Sequence, residues 1–379
     1  MTNDGVLIVG GGIAGLATAA GLLRAGIPCE IVERAQAWGP VGAGIVLGVN
    51  AMRVMRSLGL QDAVAARGAT LRRASITDHR GRTLGATDFA LLEPEFGPTI
   101  ALHRAALHEV LREAASGVEV SLGTTVEKLE QHEGHVEALL SDGRVRRCAL
   151  VVGADGLRSR VRELLFPGDR ILYSGYTCWR LVIPSPVERI ELREMWGRGR
   201  RFGIVPVDEE RIYCFAVANA PRGEPDPDEG RLDRFRRRFA GFGGQVPEIL
   251  GALRGPDDLI HNDLEELAEG PWHQGRVLLI GDAAHAMTPN MGQGAAMALE
   301  DSMVLVELLR GGGAVRDVLA RLVERRASRV RWVQSQSRRI GRVGQLEGGL
   351  TTKLRNRVLR AVPDRANARA LRRMASQSI

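Results

Sequence analysis

Three glycine-centred segments carry the residue types and spacings from which chemistry can be argued. The first is Gly10-Gly11-Gly12-Ile13-Ala14-Gly15, preceded by the apolar run Val6-Leu-Ile-Val9 and followed by a helical pattern of Leu16, Ala19, Ala20 and Leu23 that stops at Gly26. A second apolar run, 29–32, ends in Glu33, 23 residues after Gly10. Strand, G-x-G-x-x-G, helix, strand and acid in that order make a dinucleotide-binding turn. Gly10 permits the tight turn, Gly12 lets the backbone approach a pyrophosphate, and Gly15 lets helix and strand pack closely. The helix N-terminus would meet the phosphates with unpaired N–H groups and the positive end of its dipole, while Glu33 accepts from a ribose.

In the second segment the apolar run 149–152 meets Gly153-Ala154-Asp155-Gly156, and Ser159 and Arg160 open a helix with Val161 and Leu164. A plain Asp-Gly turn explains these residues alone as well as a site does. The third runs Arg276-Val-Leu-Leu-Ile-Gly281-Asp282-Ala-Ala-His285, then Thr288-Pro289-Asn-Met-Gly292-Gln293-Gly294, into a helix over roughly 295–309. An aspartate at a strand's carboxyl end suits a polyol hydroxyl, and a glycine-flanked helix N-terminus suits a developing anion. His285 beside a turn reads as a structural hydrogen-bonding residue before a catalytic one. No residue stands out as a catalytic base.

The elements that must position these segments are those of an α/β chain. Between the second and third motifs the texture changes to short strands, 181–183, 202–207 and 212–218, which suggests an antiparallel sheet. A Pro-rich acidic loop, 219–230, leads to an amphipathic helix with Leu232, Phe235 and Phe239 on one side. Beyond Gly311-Gly-Gly, residues Val315, Val318, Leu319, Leu322 and Val323 mark another helix. With 379 residues, 44% hydrophobic and 26% charged, the chain has the composition of a globular protein of two or three domains. The uncharged stretch 5–23 contains the glycine turn and has Asp4 before it, so it reads as strand and turn, not as a membrane span or leader. Cys29, Cys148, Cys178 and Cys214 are scattered, so no metal cage and no disulfide is expected, and a cytoplasmic setting fits. Net charge is +7, yet 321–379 alone carries +13, leaving −6 for the remainder.

Together the motifs resemble the para-hydroxybenzoate hydroxylase-like family of FAD-dependent monooxygenases over roughly residues 5–310. The resemblance implies a Rossmann-type FAD-binding domain interleaved with an antiparallel-sheet substrate domain, followed by C-terminal helices. The expected division is 1–75, 98–168 and 273–310 for FAD, 76–97 and 169–272 for substrate, and 311–379 as a helical basic tail. Pro40-Val41-Gly42-Ala43-Gly44-Ile45 looks like the family's second flavin loop, and Leu102-His103-Arg104 like its pre-helix contact. By resemblance, Gly10, Gly12, Ile13, Ala14, Gly15, Glu33, Arg34, Ala43 and Gly44 contact the cofactor. Arg104 neutralises pyrophosphate charge, Val126 lies near the adenosine, and Asp282 holds the ribityl or pyrophosphate. Pro289, Gly292, Gln293, Gly294 and Ala295 lie by the isoalloxazine, and Asp155 and Gly156 meet both FAD and a transient NADH or NADPH donor. The chemistry implied is reduction of FAD, reaction with O₂ to a C4a-hydroperoxyflavin, and hydroxylation of an aromatic or heteroaromatic small molecule.

For substrate, Arg201 and Tyr213 lie 12 residues apart, as do an arginine and a tyrosine of urate-hydroxylating members. They would clamp and stack an anionic ring. Arg180 follows Trp179 where those members carry asparagine, which argues against urate. Leu47 and Val49 are expected to make the pocket wall apolar. A reductase, epoxidase or halogenase on the same scaffold is the alternative, but Trp179-Arg-Leu-Val-Ile-Pro184 lacks the second tryptophan of the halogenase motif. A dehydrogenase using only the first motif leaves Asp282 unexplained. The arginine-rich tail has few interleaved aromatics, so nucleic-acid binding is disfavoured, and it reads as a solvated helical face in preference to a membrane contact. The sequence does not fix the oligomeric state.

Overall fold

A computed structural model describes the chain except residues 1–3, 40–42, 169, 189, 363–371 and 373–379. The expected flavin-loop residues Pro40, Val41 and Gly42, and most of the tail beyond Val362, therefore lie outside the described residues. The motif strands Val6–Val9 and Leu150–Gly153 are neighbours in a six-stranded sheet that continues through Cys29–Glu33 and Glu119–Leu122 on one side and Val277–Leu279 and His273–Gln274 on the other. All pairs are parallel except the short edge strand His273–Gln274. Parallel strands covered on both faces read as continuous apolar runs, which is why Val6–Val9 and Leu150–Gly153 are buried at every position. The helices Ile13–Arg24 and Gly294–Arg310 pack on each other across this sheet. Their approach is close at Gly21, where a Cβ would stand 2.8 Å from Val306.

The second layer is a seven-stranded sheet, in order Ile260–Leu267, Ile171–Pro184, Arg211–Asn219, Arg200–Pro206, Leu192–Trp196, Arg73–Asp78 and Thr83–Asp88. It is antiparallel except where Leu192–Trp196 meets Arg73–Asp78. Side chains alternate between faces along each strand. One face, with Trp179, Leu181, Phe202, Ile204, Ile212 and Cys214, forms a core with Phe235, Phe239 and Ile249 of the helices Arg231–Phe239 and Val246–Ala252. The other face presents Cys178, Arg180, Val182, Arg201, Tyr213, Phe215 and Val217. It meets the strand Gly44–Leu47, which enters directly after the second flavin loop.

Two helices close the chain, Val315–Gly344 and Gly349–Ala361. The first half of the long helix buries Val318, Leu319 and Leu322, continuing the amphipathic pattern of the sequence. Further along, the same side buries Arg326, Arg329, Val330, Val333, Gln334 and Ser337. The arginine-rich stretch is thus an internal element joining both layers.

Candidate active site

The glycine turn divides its labour among its three motif positions. Gly10 has φ +109°, and a Cβ there would stand 2.5 Å from the Ala154 carbonyl oxygen of the neighbouring strand's exit. A Cβ on Gly15 would lie 1.9 Å from the Gly10 oxygen, so helix and strand touch at that point. A Cβ on Gly12 would meet nothing within 4 Å, and Gly12 opens the helix Ile13–Arg24 with no side chain capping it. An open cradle beneath uncapped N–H groups fits a pyrophosphate. Glu33 stands beside the turn, accepting from Gly11 N at 2.6 Å and Ala35 N at 2.9 Å. Arg34 is exposed, and Val126 is fully buried at the start of the strand Val126–Gln131.

The second motif turns inward. Asp155 accepts from Ser159 Oγ at 2.5 Å, Arg160 N at 2.7 Å and Val161 N at 3.1 Å, capping the helix Arg160–Leu165. Burial raises its carboxyl pKa in spite of these donors. Gly156 has φ +79° with open space around it.

At the third motif Asp282 is exposed, and its Oδ1 lies 3.9 Å from where a Cβ on Gly294 would be. Gly294 begins the helix Gly294–Arg310, which has no side-chain cap. Arg104, first residue of the helix Arg104–Ala114, feels the charges of Asp282 and Arg180 and lies near Tyr213. Arg104 is solvent-accessible yet largely surrounded by protein, the condition of a side chain in a deep open cleft. The three motifs also touch one another, Gly10 at Ala154 and Gly281 at Ala14, and the third meets the antiparallel sheet through Arg104. Pro289 is exposed, Gly292 adopts φ +62°, and Ala295 is half-buried in the first turn of that helix. Gln293 is buried, and its Oε1 accepts from Asn50 Nδ2 at 3.0 Å.

On the substrate sheet, the candidate pair Arg201 and Tyr213 shares a face but not a contact. The register sets Arg201 opposite Val217 and Val205 opposite Tyr213, four residues along the strand. Arg201 is 2% exposed and its guanidinium is taken up within the chain. It donates to Gln345 Oε1 at 3.0 Å, Glu194 Oε1 at 3.0 Å and Asn290 Oδ1 at 2.6 Å. Tyr213 instead stands beside Arg180, which donates to Asn262. Burial pushes the Tyr213 phenol well above its usual pKa, so the hydroxyl stays protonated. Leu47, expected at the pocket wall, is fully buried in the main core, and Val49 is buried with 4% exposure. Alternation is the reason: Val46 faces Tyr213 and Val205 in the cluster between the layers, whereas Ile45 and Leu47 face the main core.

Sequence reasoning missed the contribution of the long C-terminal helix. Glu300 and Asp301 are fully buried, and they pair with Arg326 and Arg329 from that helix, Arg326 Nε lying 2.9 Å from Asp301 and Arg329 Nε 2.8 Å from Glu300. Asn50 Nδ2 also donates to Glu300 at 2.7 Å, tying the cluster to Gln293. His285 joins through Nε2 to Asp301 at 2.6 Å and packs on Trp272, a structural position. Further along the helix, Ser337 Oγ donates to the Thr288 carbonyl at 2.5 Å, and Asn290 Nδ2 bonds the Ser337 carbonyl at 2.9 Å. The only advance signal was the mixed series Arg326, Arg329, Val330, Val333, Ser337 at helical spacing. Among the described residues, His132, His135 and Glu137 on an exposed hairpin are the one group spaced for a metal ion.

The open cradle at Gly12, the free Asp282 carboxylate and the uncapped helix at Gly294 fit a dinucleotide whose ring end reaches the substrate sheet. Fold and site define a flavoprotein of the Rossmann type with an antiparallel substrate domain. The chain belongs to the FAD binding domain family, which matches residues 4–337. It is 40% identical over 372 residues to the 2-heptyl-3-hydroxy-4(1H)-quinolone synthase of Pseudomonas aeruginosa strain PAO1, covering 97% of each chain. To the aurachin C monooxygenase/isomerase of Stigmatella aurantiaca it is 38% identical over 373 residues, again 97% of each. Klebsiella pneumoniae HpxO, solved with FAD and uric acid, superposes with TM-score 0.92 at 25% identity over 99% of this chain and 97% of that one. The chain is an FAD-dependent monooxygenase, and the family resemblance and fold class read from its motifs are confirmed. No described helix is long and apolar enough to cross a membrane.

Proposed function

We propose that the enzyme hydroxylates a neutral bicyclic heteroaromatic of the 4-quinolone type at the ring carbon beside the carbonyl, with O₂ as co-substrate and NADH or NADPH as reductant. The observation that carries this reading is the state of the two arginines on the sheet face. Arg201, the residue that would clamp an anionic ring, is buried and fully engaged by Glu194, Asn290 and Gln345. Tyr213, 8% exposed and with its hydroxyl protonated, stands beside Arg180 among Val46, Val182, Val205 and Phe215. A neutral ring with one carbonyl suits that setting better than a carboxylate or urate. The similarity to a quinolone synthase across 97% of the chain supports the same choice.

Bound FAD supplies the redox chemistry, passing two electrons from the nicotinamide to O₂ and delivering one oxygen atom as an electrophile. The chain binds, orients and dries. Tyr213, beside the Arg180 guanidinium, would turn its hydroxyl proton toward the substrate carbonyl and fix which ring edge meets the flavin. Arg104 and Asp282 hold the cofactor's polar arm. Val46, Val182 and Phe215 keep water from the reacting face. A 4-quinolone carbon beside the carbonyl is activated by the ring nitrogen's lone pair, so no protein base is needed to make it nucleophilic. The balance is substrate C–H plus O₂, NAD(P)H and a proton giving C–OH, NAD(P)⁺ and water.

Oxygen uptake and NAD(P)H oxidation are to be followed with 2-alkyl-4-quinolones, urate and hydroxybenzoates, and the products weighed by mass spectrometry. Coupled oxidation with one oxygen added to the quinolone is expected, and Tyr213→Phe should lower kcat/KM about tenfold or more with flavin content unchanged. Stimulation by urate or hydroxybenzoate and not by any quinolone would overturn the proposal.

A further inference from the structure

The last helix, Gly349–Ala361, is built inside out. Successive residues turn by about 100° on a helix. Its inner face is Thr352, Arg355, Asn356 and Leu359, with Thr352 and Arg355 each 6% exposed. Arg355 is held by backbone, donating to the carbonyls of Gly344 at 3.0 Å and Gly197 at 3.1 Å, with its guanidinium over the Trp196 ring. Polar contacts, not apolar burial, attach this helix. Leu350, Leu354 and Val358 point the other way and are 84%, 63% and 55% exposed. A water-facing helix normally turns its apolar stripe to the core. Here three large aliphatic side chains in a row, with Val362 following at 37%, are left to an outside partner.

The charge around the stripe says which partner. Lys353 and Arg357 border it on one side, and the helix holds no acid. By sequence alone, residues 363–379 hold four arginines against one acid, Asp364. A two-fold contact with a second copy would bring these like charges together, and the chain's own terminal segment would do the same. An anionic lipid surface takes aliphatic side chains into its interface and draws lysine and arginine to its headgroups.

We propose that the helix Gly349–Ala361 docks this enzyme on the surface of an anionic membrane without crossing it. The apolar stripe lies in the acyl boundary and Lys353 and Arg357 lie among the headgroups. Arg355 couples the docked helix to Gly344, which packs on Arg201, and to Gly197, in the turn leading into the strand Arg200–Pro206, so the antiparallel sheet would sit next to the lipid surface. The proposal stands apart from the choice of substrate.

The test is co-sedimentation of the full-length holoenzyme with vesicles of phosphatidylcholine alone or mixed with phosphatidylglycerol. Binding is expected to the mixed vesicles, weakening with added salt. Leu354→Glu with Val358→Glu, and separately Arg357→Glu, should each weaken binding roughly tenfold or more while flavin content is unchanged. Holoenzyme that stays in solution with both vesicle types overturns the proposal. So does a Leu354→Glu/Val358→Glu variant that binds as the parent does. A parent that is dimeric by light scattering, made monomeric by those changes and indifferent to lipid, would assign the stripe to a second copy instead.

Discussion

Gly44 lies against Tyr213: a Cβ on Gly44 would stand 2.4 Å from the Tyr213 Cβ, so the strand leaving the second flavin loop and the substrate sheet touch where only hydrogen fits. This contact sets the spacing of the two layers at Tyr213, whose hydroxyl is the group proposed to orient the ring. Gly44→Ala must push the two layers apart. Overpacking of this kind costs about 1–3 kcal/mol, which a chain of this size absorbs. Turnover should fall about tenfold or more, because small misplacements at a reacting centre are expensive. Steady-state kinetics beside a melting curve checks this; a fully active variant would show that the layers do not need this spacing.

Gly12 and Gly15 should separate binding from folding. The space beyond Gly12 is empty of chain, whereas a Cβ on Gly15 collides with the Gly10 oxygen at 1.9 Å. Gly12→Val is expected to give a folded, colourless protein whose flavin-free melting temperature matches that of the parent. Gly15→Val is expected to lower the melting temperature or abolish soluble expression. Asp282→Ala should weaken flavin retention like Gly12→Val, since the carboxylate is exposed and is proposed to hold a cofactor hydroxyl. Visible absorbance per protein and thermal unfolding of the stripped forms distinguish the outcomes.

For Arg201→Ala the structure shifts the expected loss from substrate affinity to stability. Deleting the guanidinium leaves Glu194, Asn290 and Gln345 facing an empty site at the junction of the sheet, the third motif and the long helix. Removing one member of a buried pair costs roughly 3–5 kcal/mol, and the partial exposure of Glu194 places this case at the low end. Unfolding in urea should show a lower midpoint. A variant as stable as the parent with a raised KM would restore Arg201 to the substrate.

The cluster beneath the third motif makes stability depend on acid. Burial alone would raise the pKa values of Glu300 and Asp301, but Arg329 and Arg326 for the first, and His285 and Arg326 for the second, hold both below their usual range. Unfolded values are about 4.3 for Glu and 3.9 for Asp. The folded values lie lower, so the stabilisation is complete above the unfolded values and is lost as pH falls through the folded ones. The melting temperature should drop steeply below about pH 4, and Glu300→Gln should make that drop shallower. An unchanged acid limb in Glu300→Gln would place the acid sensitivity elsewhere.

Much of the cofactor half was legible because its signals are local. The helix expected after the third motif, 295–309, is Gly294–Arg310, and the strand ending in Glu33 is Cys29–Glu33. The substrate half was legible only as texture. The strands read as 181–183 and 202–207 prove to be Ile171–Pro184 and Arg200–Pro206. Leu47 was placed on the wrong side because a strand's two faces differ by one residue. The long helix was followed only as far as Val323, because beyond it the buried Val330 and Val333 are set among buried arginine, glutamine and serine, and that mixture shows no clear hydrophobic period.

By itself the sequence determined the cofactor scaffold. A motif glycine acts through its own φ, its missing Cβ and the N–H groups next to it, so the type and spacing of a few neighbouring residues carry the meaning. Tertiary structure alone decided what the charged side chains do. Arg201 finds Asn290 across 89 positions and Gln345 across 144, and whether a guanidinium meets a substrate or the chain's own amides depends on which elements pack around it. That packing buried four ionic groups between two helices and turned three leucine and valine side chains of the last helix outward, and neither outcome can be read from spacing along the chain.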